Sequence, residues 1–376
     1  MRLARSCGFT IFVYGGFRPE PPELVSTRGL PPQLDQFSTP ANRRVFTSER
    51  PILRRLLEAC AITRDPASAH ALVVPALLGS AIVAGWSSKG VGQRSHQHSD
   101  LLHRLSPASI NASLPHLTPS TAHRHIFFCT VDSQFVFLGA GSSRVGAEQQ
   151  AMWIHLGDDS YTGAVGSRGV AISNGLTVPY RTSHWLPFGF PPPPKPKAFL
   201  LFANVNGGKH PSRRLVAAAL LNHSTARGLR SVVKISLSAD MLPVVSAAGV
   251  ALRSTFCLCP TGDSKGFTAR LYFSVIHNCI PVWIDCFRRS LGWQDITFPF
   301  PHAIDWRRVV LVSSVGEALD GKLLTRLVDM RQSGVADVWL RYIRRISHYL
   351  VFDRKEGGLD ASDAALHEIE KRLGFL

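Results

Sequence analysis

With 376 residues the chain is long enough for two domains, each with a core of its own. Hydrophobic residues at 45% and aromatics at 9% exclude a disordered polyelectrolyte. The net charge of +16 fits an acidic glycan, an anionic membrane surface or nucleic acid as partner, but the basic residues are scattered, so a generally basic surface reads equally well. The seven cysteines have no paired metal-ligand spacing, so no zinc site is expected; their odd number leaves at least one thiol unpaired, and the redox compartment stays open.

In chain order, Arg2 and Arg5 precede the apolar run Cys7 to Phe17, superficially a signal peptide. That run is too short to cross a bilayer, and Ile11 to Tyr14 before Gly15 and Gly16 reads instead as a first strand and its turn. Ile52, Leu53, Leu56 and Leu57 share one helical face between Ser48 and Cys60, with Arg54 and Arg55 outside it. A polar turn from Thr63 leads to a strand at Ala71 to Pro75, and Gly85 to Pro119 reads as a long surface loop with a short helix at Asp100 to Leu105. The strand Arg124 to Asp132 ends in a carboxylate. Asp132 is the candidate general base for an acceptor hydroxyl, and a turn or N-cap aspartate is the other reading. After a strand at Val170 to Ile172, the stiff segment Leu186 to Lys197, with four consecutive prolines from Pro191, marks the boundary. The domains are therefore expected at 1–190 and 198–352, with a linker at 191–197 and a helical extension at 353–376.

Beyond the linker, a strand at Ala198 to Ala203 runs into a loop carrying Gly207, Gly208 and Lys209, then a helix from Arg214. Glycines between strand and helix let backbone amides approach a phosphate, and Lys209 and Arg213 add charge; a solvated turn is the plainer alternative. The spacing is not that of a P-loop. Thr255 to Asp285 repeats the pattern. An apolar strand stops at Pro260, Thr261 to Gly266 forms a tight turn, Leu271, Tyr272, Val275 and Ile276 recur on one helical face, and Cys279 to Ile284 is a buried-type strand. In an open α/β sheet that turn and helix start lie at the carboxyl edge, where Arg270 can offer a forked donor to a phosphate or remain solvated. A strand at Arg307 to Ser313, a helix at Gly316 to Gln332, a basic helix at Val338 to Leu350 and a terminal helix at Ala361 to Leu373 complete the pattern.

The runs FCLCPTGDS at Phe256 to Ser264, ARLYFSVIHNCIPVWI at Ala269 to Ile284 and FPFPHAIDW at Phe298 to Trp306 occur in that order. With Asp65, Pro66, Ala69, Val73 to Pro75, and Asp132 they make the chain resemble the exostosin family, glycosyltransferase family 47. The resemblance implies an α/β fold of two facing Rossmann-like domains, the glycosyltransferase B-type fold, with the active site in the cleft. It implies inverting transfer of a hexose or pentose from a nucleoside-diphosphate sugar, expected to be a UDP-sugar, to a glycan or glycoprotein hydroxyl. The donor would meet Gly207, Gly208, Lys209, Arg213, Gly262, Asp263, Ser264 and Arg270, and Asp132 would serve the acceptor. No metal or other cofactor is expected, since helix N-termini and basic groups would receive the leaving charge and no Asp-x-Asp triplet occurs. Nucleic acid is not an expected partner, as no recognised binding module occurs. The family places the protein in the Golgi lumen, where the sequons at Asn111 and Asn222 would be usable. Family members usually start with an anchor and stem; neither pattern is seen, so membrane association would run through a partner or an anchor missing from the sequence. Phe273, Asn278, Pro301 and His302 depart from the family pattern, which makes an inactive glycan- or nucleotide-binding relative the alternative.

Overall fold

The computed structural model describes residues 7–14, 48–77, 114–129, 150–155, 175–179, 186–205, 211–237, 241–261, 269–284, 286, 298–352 and 359–375. The chain divides into two compact units. The first comprises Met1–Arg181, Phe298–Ala303 and Phe352–Leu376, and the second Thr182–Thr297 and Ile304–Val351.

The first unit is built on β1 (Thr10–Val13), β2 (Ala61–Ile62), β3 (Ala71–Leu77), β4 (His125–Cys129), β5 (Met152–His155) and β6 (Gly175–Thr177). All pair in parallel, in the order β2-β1-β3-β4-β5-β6. Strands covered on both faces read as apolar runs, as in Ala71–Val74 and Met152–Ile154, all buried. α1 (Glu49–Ala59) buries Ile52, Leu53 and Leu56, the face its spacing predicts. Cys7, at the approach to β1, is bonded to Cys60 at the end of α1.

The second unit holds β7 (Phe199–Val205), α2 (Pro211–Ala226), β8 (Val233–Leu237), α3 (Val244–Leu252), β9 (Ser254–Pro260), α4 (Ala269–Ile276), β10 (Ile280–Ile284) and β11 (Leu311–Ser313). Its sheet is again parallel, in the order β11-β10-β9-β7-β8. β9 is buried along its whole length. Cys257 on β9 is bonded to Cys279, just before β10, within a cluster of Phe202, Ala247 and Ala251. Four of the cysteines are thus paired in disulfides, while Cys259 and Cys286 are thiols.

The helix expected over Gly316 to Gln332 is two helices, α5 (Val315–Leu319) and α6 (Lys322–Gln332). The break falls at Gly321, whose φ of 74° is left-handed and where an added Cβ would lie 2.9 Å from His223 Nδ1. α7 (Val335–Ile346) begins earlier than its periodicity suggested, and the guanidinium groups of Arg308 and Arg345 lie over the ring of Tyr342. α8 (Ala361–Arg372) belongs to the first unit and is buried around most of its circumference. Its buried acids all have partners there. Asp363 accepts from Arg55 Nε at 2.6 Å, Glu368 from His302 Nδ1 at 2.6 Å and His302 N at 2.9 Å, and Glu370 from Gly8 N at 2.8 Å.

The linker end is pinned within the second unit. Lys197 Nζ donates to the carbonyls of Leu252, the last residue of α3, and Asn278, just beyond α4, at 2.9 and 2.5 Å. Burial pushes its ammonium down to about 7. Arg331 Nη2 adds a bond to the Lys197 carbonyl at 2.8 Å.

Candidate active site at the carboxyl edge of the second sheet

From β7 the chain moves outward to β8, then crosses back to β9 on the other side of β7. In parallel α/β sheets such a reversal opens a crevice at the carboxyl ends of the two central strands, and ligands bind there. Here those strands are β7 and β9. Each is followed by a loop and a helix start, α2 after β7 and α4 after β9.

Thr261, the residue after β9, is fully buried and ties three strand exits together. Its carbonyl accepts from Arg213 Nε at 2.6 Å, in the first turn of α2. Its own amide donates to the Ile284 carbonyl at the end of β10 at 2.9 Å. Its hydroxyl accepts from the Cys286 amide at 2.8 Å. The Thr261 side chain and its two flanking peptide groups therefore tie the exit of β9 to the end of β10, to Cys286 and to the first turn of α2. The sequence marks Thr261 as a turn residue; its hydroxyl, directly after the apolar run Phe256 to Pro260, is the available signal.

Arg213 is buried. Its Nε donates to the Thr261 carbonyl, which holds the guanidinium plane in a fixed orientation. Arg270 is the second residue of α4, on the opposite side of the reversal, and is half-buried. Ser274 Oγ donates to its carbonyl at 2.7 Å. Both arginines thus occupy first turns of the helices that flank the crevice. Gly207, Gly208, Lys209, Gly262, Asp263, Ser264 and Asp132 lie outside the described residues. Cys259 offers no nucleophile, since burial pushes its thiol up to about 12.

The positions that depart from the exostosin pattern have structural occupations. Phe273 packs against the Cys257–Cys279 cluster and on the His277 ring. Asn278 takes a φ of 53°, a left-handed conformation that asparagine tolerates better than most residues. His302 is paired with Glu368.

In the first unit, Tyr14 extends β1 and its hydroxyl meets His125 Nε2 at 2.8 Å, while His125 Nδ1 meets the Thr121 carbonyl at 2.9 Å. A carbonyl only accepts, so Nδ1 carries the proton and Nε2 accepts from tyrosine. Burial pushes His125 down to about 4 and Tyr14 up to about 12, so both are neutral at ordinary pH. Among the described residues no group of three or more His, Cys, Asp or Glu could hold a metal ion, and no helix is long and apolar enough to cross a membrane.

The two parallel sheets, with the strand-order reversal of the second at β7 and β9, make this an α/β protein. The Exostosin GT47 domain model matches residues 5–328, and the chain belongs to that family. No curated protein is matched by sequence. Among solved structures, the chain is similar to the pneumococcal O-GlcNAc transferase GtfA in complex with UDP and GlcNAc, at 9% identity over 71% of this chain and 56% of that one, with a TM-score of 0.34. It is similar to TarM at 8% identity over 67% and 55% of the two chains, TM-score 0.33. WaaG, a glycosyltransferase involved in lipopolysaccharide biosynthesis, is aligned at 11% identity over 97% and 100%, TM-score 0.36. The chain spans little more than half the length of GtfA and TarM. Scores this low carry no weight for its activity.

Proposed function

We propose that the protein is an inverting glycosyltransferase that moves a sugar from a UDP-sugar to a glycan hydroxyl. The observation that supports this reading is the set of bonds at Thr261 beside the β7/β9 reversal, with Arg213 and Arg270 in the first turns of the helices that follow those two strands. Amides at helix starts together with a half-buried guanidinium suit a diphosphate. In the reaction the acceptor oxygen bonds to the anomeric carbon as the sugar–phosphate bond breaks, and the acceptor proton passes to a base, for which Asp132 is proposed. The charge released on the diphosphate is received by the starts of α2 and α4, Lys209 and Arg270, with Gly207, Gly208, Gly262, Asp263 and Ser264 shaping the approach. The proposal includes no metal, in keeping with the absence of an Asp-x-Asp triplet.

The lumen of the secretory pathway, the Golgi in particular, is the proposed location. Two disulfides support an oxidising compartment. A second reading, a catalytically inactive nucleotide- or glycan-binding relative, draws on Phe273 and His302, which serve packing and an ion pair where the family pattern has acids.

Calorimetric titration against a panel of nucleoside diphosphates and their sugars tests the site. One nucleotide should bind, and Arg270→Ala should weaken it by roughly ten- to a hundredfold, as loss of charge-assisted hydrogen bonds implies. Slow hydrolysis of the bound donor without acceptor separates enzyme from inactive relative. Absence of binding to every member of the panel would refute the donor site.

A further inference from the structure

The sequon Asn222-His223-Ser224 lies within α2, and the described structure shows what surrounds it. α2 turns Arg213, Val216, Ala217, Leu220 and Ser224 inward. Asn222 is exposed on the opposite side, seven residues from Leu215, which is 54% exposed on the same face. His223 is held toward α5, its Nε2 2.7 Å from the Leu319 carbonyl, so the neighbouring Asn222 points away from that packing.

The outer face has an unusual composition. From Leu215 to Ala226 the helix contains no Asp, Glu, Lys or Arg, although Leu215, Asn222, Thr225 and Ala226 are exposed. Solvent-facing helix surfaces ordinarily carry charges that keep them soluble. Here the one strongly polar group in the middle of the face is an amide in an acceptor sequence.

We propose that Asn222 carries an N-linked oligosaccharide that shelters this uncharged face. The proposal rests on the lumenal reading above, because the transfer machinery and the conditions for Cys7–Cys60 and Cys257–Cys279 belong to the same compartment. In the step, the Asn222 amide nitrogen bonds to the anomeric carbon of a lipid-diphosphate oligosaccharide. The sugar–phosphate bond breaks, the amide gives up one proton, and the lipid diphosphate leaves. In the folded protein the sequon hydroxyl is not available for recognition, since Ser224 is fully buried and its Oγ donates to the Leu221 carbonyl at 2.7 Å. The sugar is therefore added before α2 docks on its sheet, and the folded protein is not a substrate.

The test uses the full chain secreted from a eukaryotic host. Peptide-N-glycosidase treatment in heavy-oxygen water followed by peptide mapping should convert Asn222 to labelled aspartate, with a gel shift that Asn222→Gln reduces by one glycan. Asn222 is exposed, so that variant should fold, and it should bind more of an apolar dye than the glycosylated protein. Thiol titration of the same preparation reports the disulfides. An unmodified Asn222 peptide in protein with both disulfides intact would overturn the proposal, and so would free thiols at all four cysteines, which would remove the compartment. Nucleotide binding is measured separately, so loss of the glycan proposal leaves the glycosyltransferase reading standing, and the reverse.

Discussion

The two units share a plan and differ in how it is fastened. Both have parallel sheets whose first strand is flanked by the second on one side and the third on the other. In the second unit the carboxyl edge is joined at Thr261 through peptide groups, its hydroxyl and the Arg213 guanidinium, and β9 is disulfide-linked to the approach of β10. In the first, pairs that include a titratable side chain hold the elements together: Tyr14 with His125, Arg55 with Asp363, and His302 with Glu368. Peptide groups do not titrate, so the Thr261 joints hold their geometry across pH, and Lys197, held down to about 7, is a titratable fastening of the same unit. The buried Tyr14–His125 pair makes stability depend on pH, because burial holds His125 below its ordinary value.

The largest expected effect breaks the disulfide of the second unit. Cys279→Ala should destabilise the second unit by about 3 kcal/mol under oxidising conditions, with little difference from the parent once both are reduced. Urea unfolding with and without reductant measures it.

Next comes the acid limb of the first unit. The folded value of His125 lies near 4, below its ordinary 6.5, because burial penalises the imidazolium. Protons then bind the unfolded chain first. The stabilisation is present above pH 6.5 and is lost as pH falls toward 4, by about 3 kcal/mol in all. Hydrogen exchange of the β1 and β4 amides should follow this curve. The double variant Tyr14→Phe with His125→Phe, which leaves no hydroxyl orphaned, should flatten it.

Thr261→Val is the smallest of the three. It keeps the shape and removes the acceptor for the Cys286 amide, so donor KM should rise by roughly tenfold, equivalent to about 1.4 kcal/mol, with a smaller change in kcat. Thr261→Ser should restore it. A shift in melting temperature with unchanged KM would make Thr261 merely structural.

What could be read from the residues alone was the local pattern. The β9, loop, α4 and β10 series followed from an apolar run ended by Pro260, small polar turn residues and one helical face at Leu271, Tyr272, Val275 and Ile276, and it put Arg270 in the first turn of a helix. Those signals lie within some thirty neighbouring residues, so strand order and helix phase carry them, and the family motifs are written in the same stretch. Tertiary structure decided everything that joins distant residues. Which cysteines pair across separations of 53 and 22, why Asp363, Glu368 and Glu370 are buried on a helix that looked amphipathic, and how Thr261 gathers Arg213 and Cys286 all depend on which elements become neighbours. A buried polar group is stable only beside its partner, and Gly8 and Glu370, 362 positions apart, become partners only when the sheet and α8 come together.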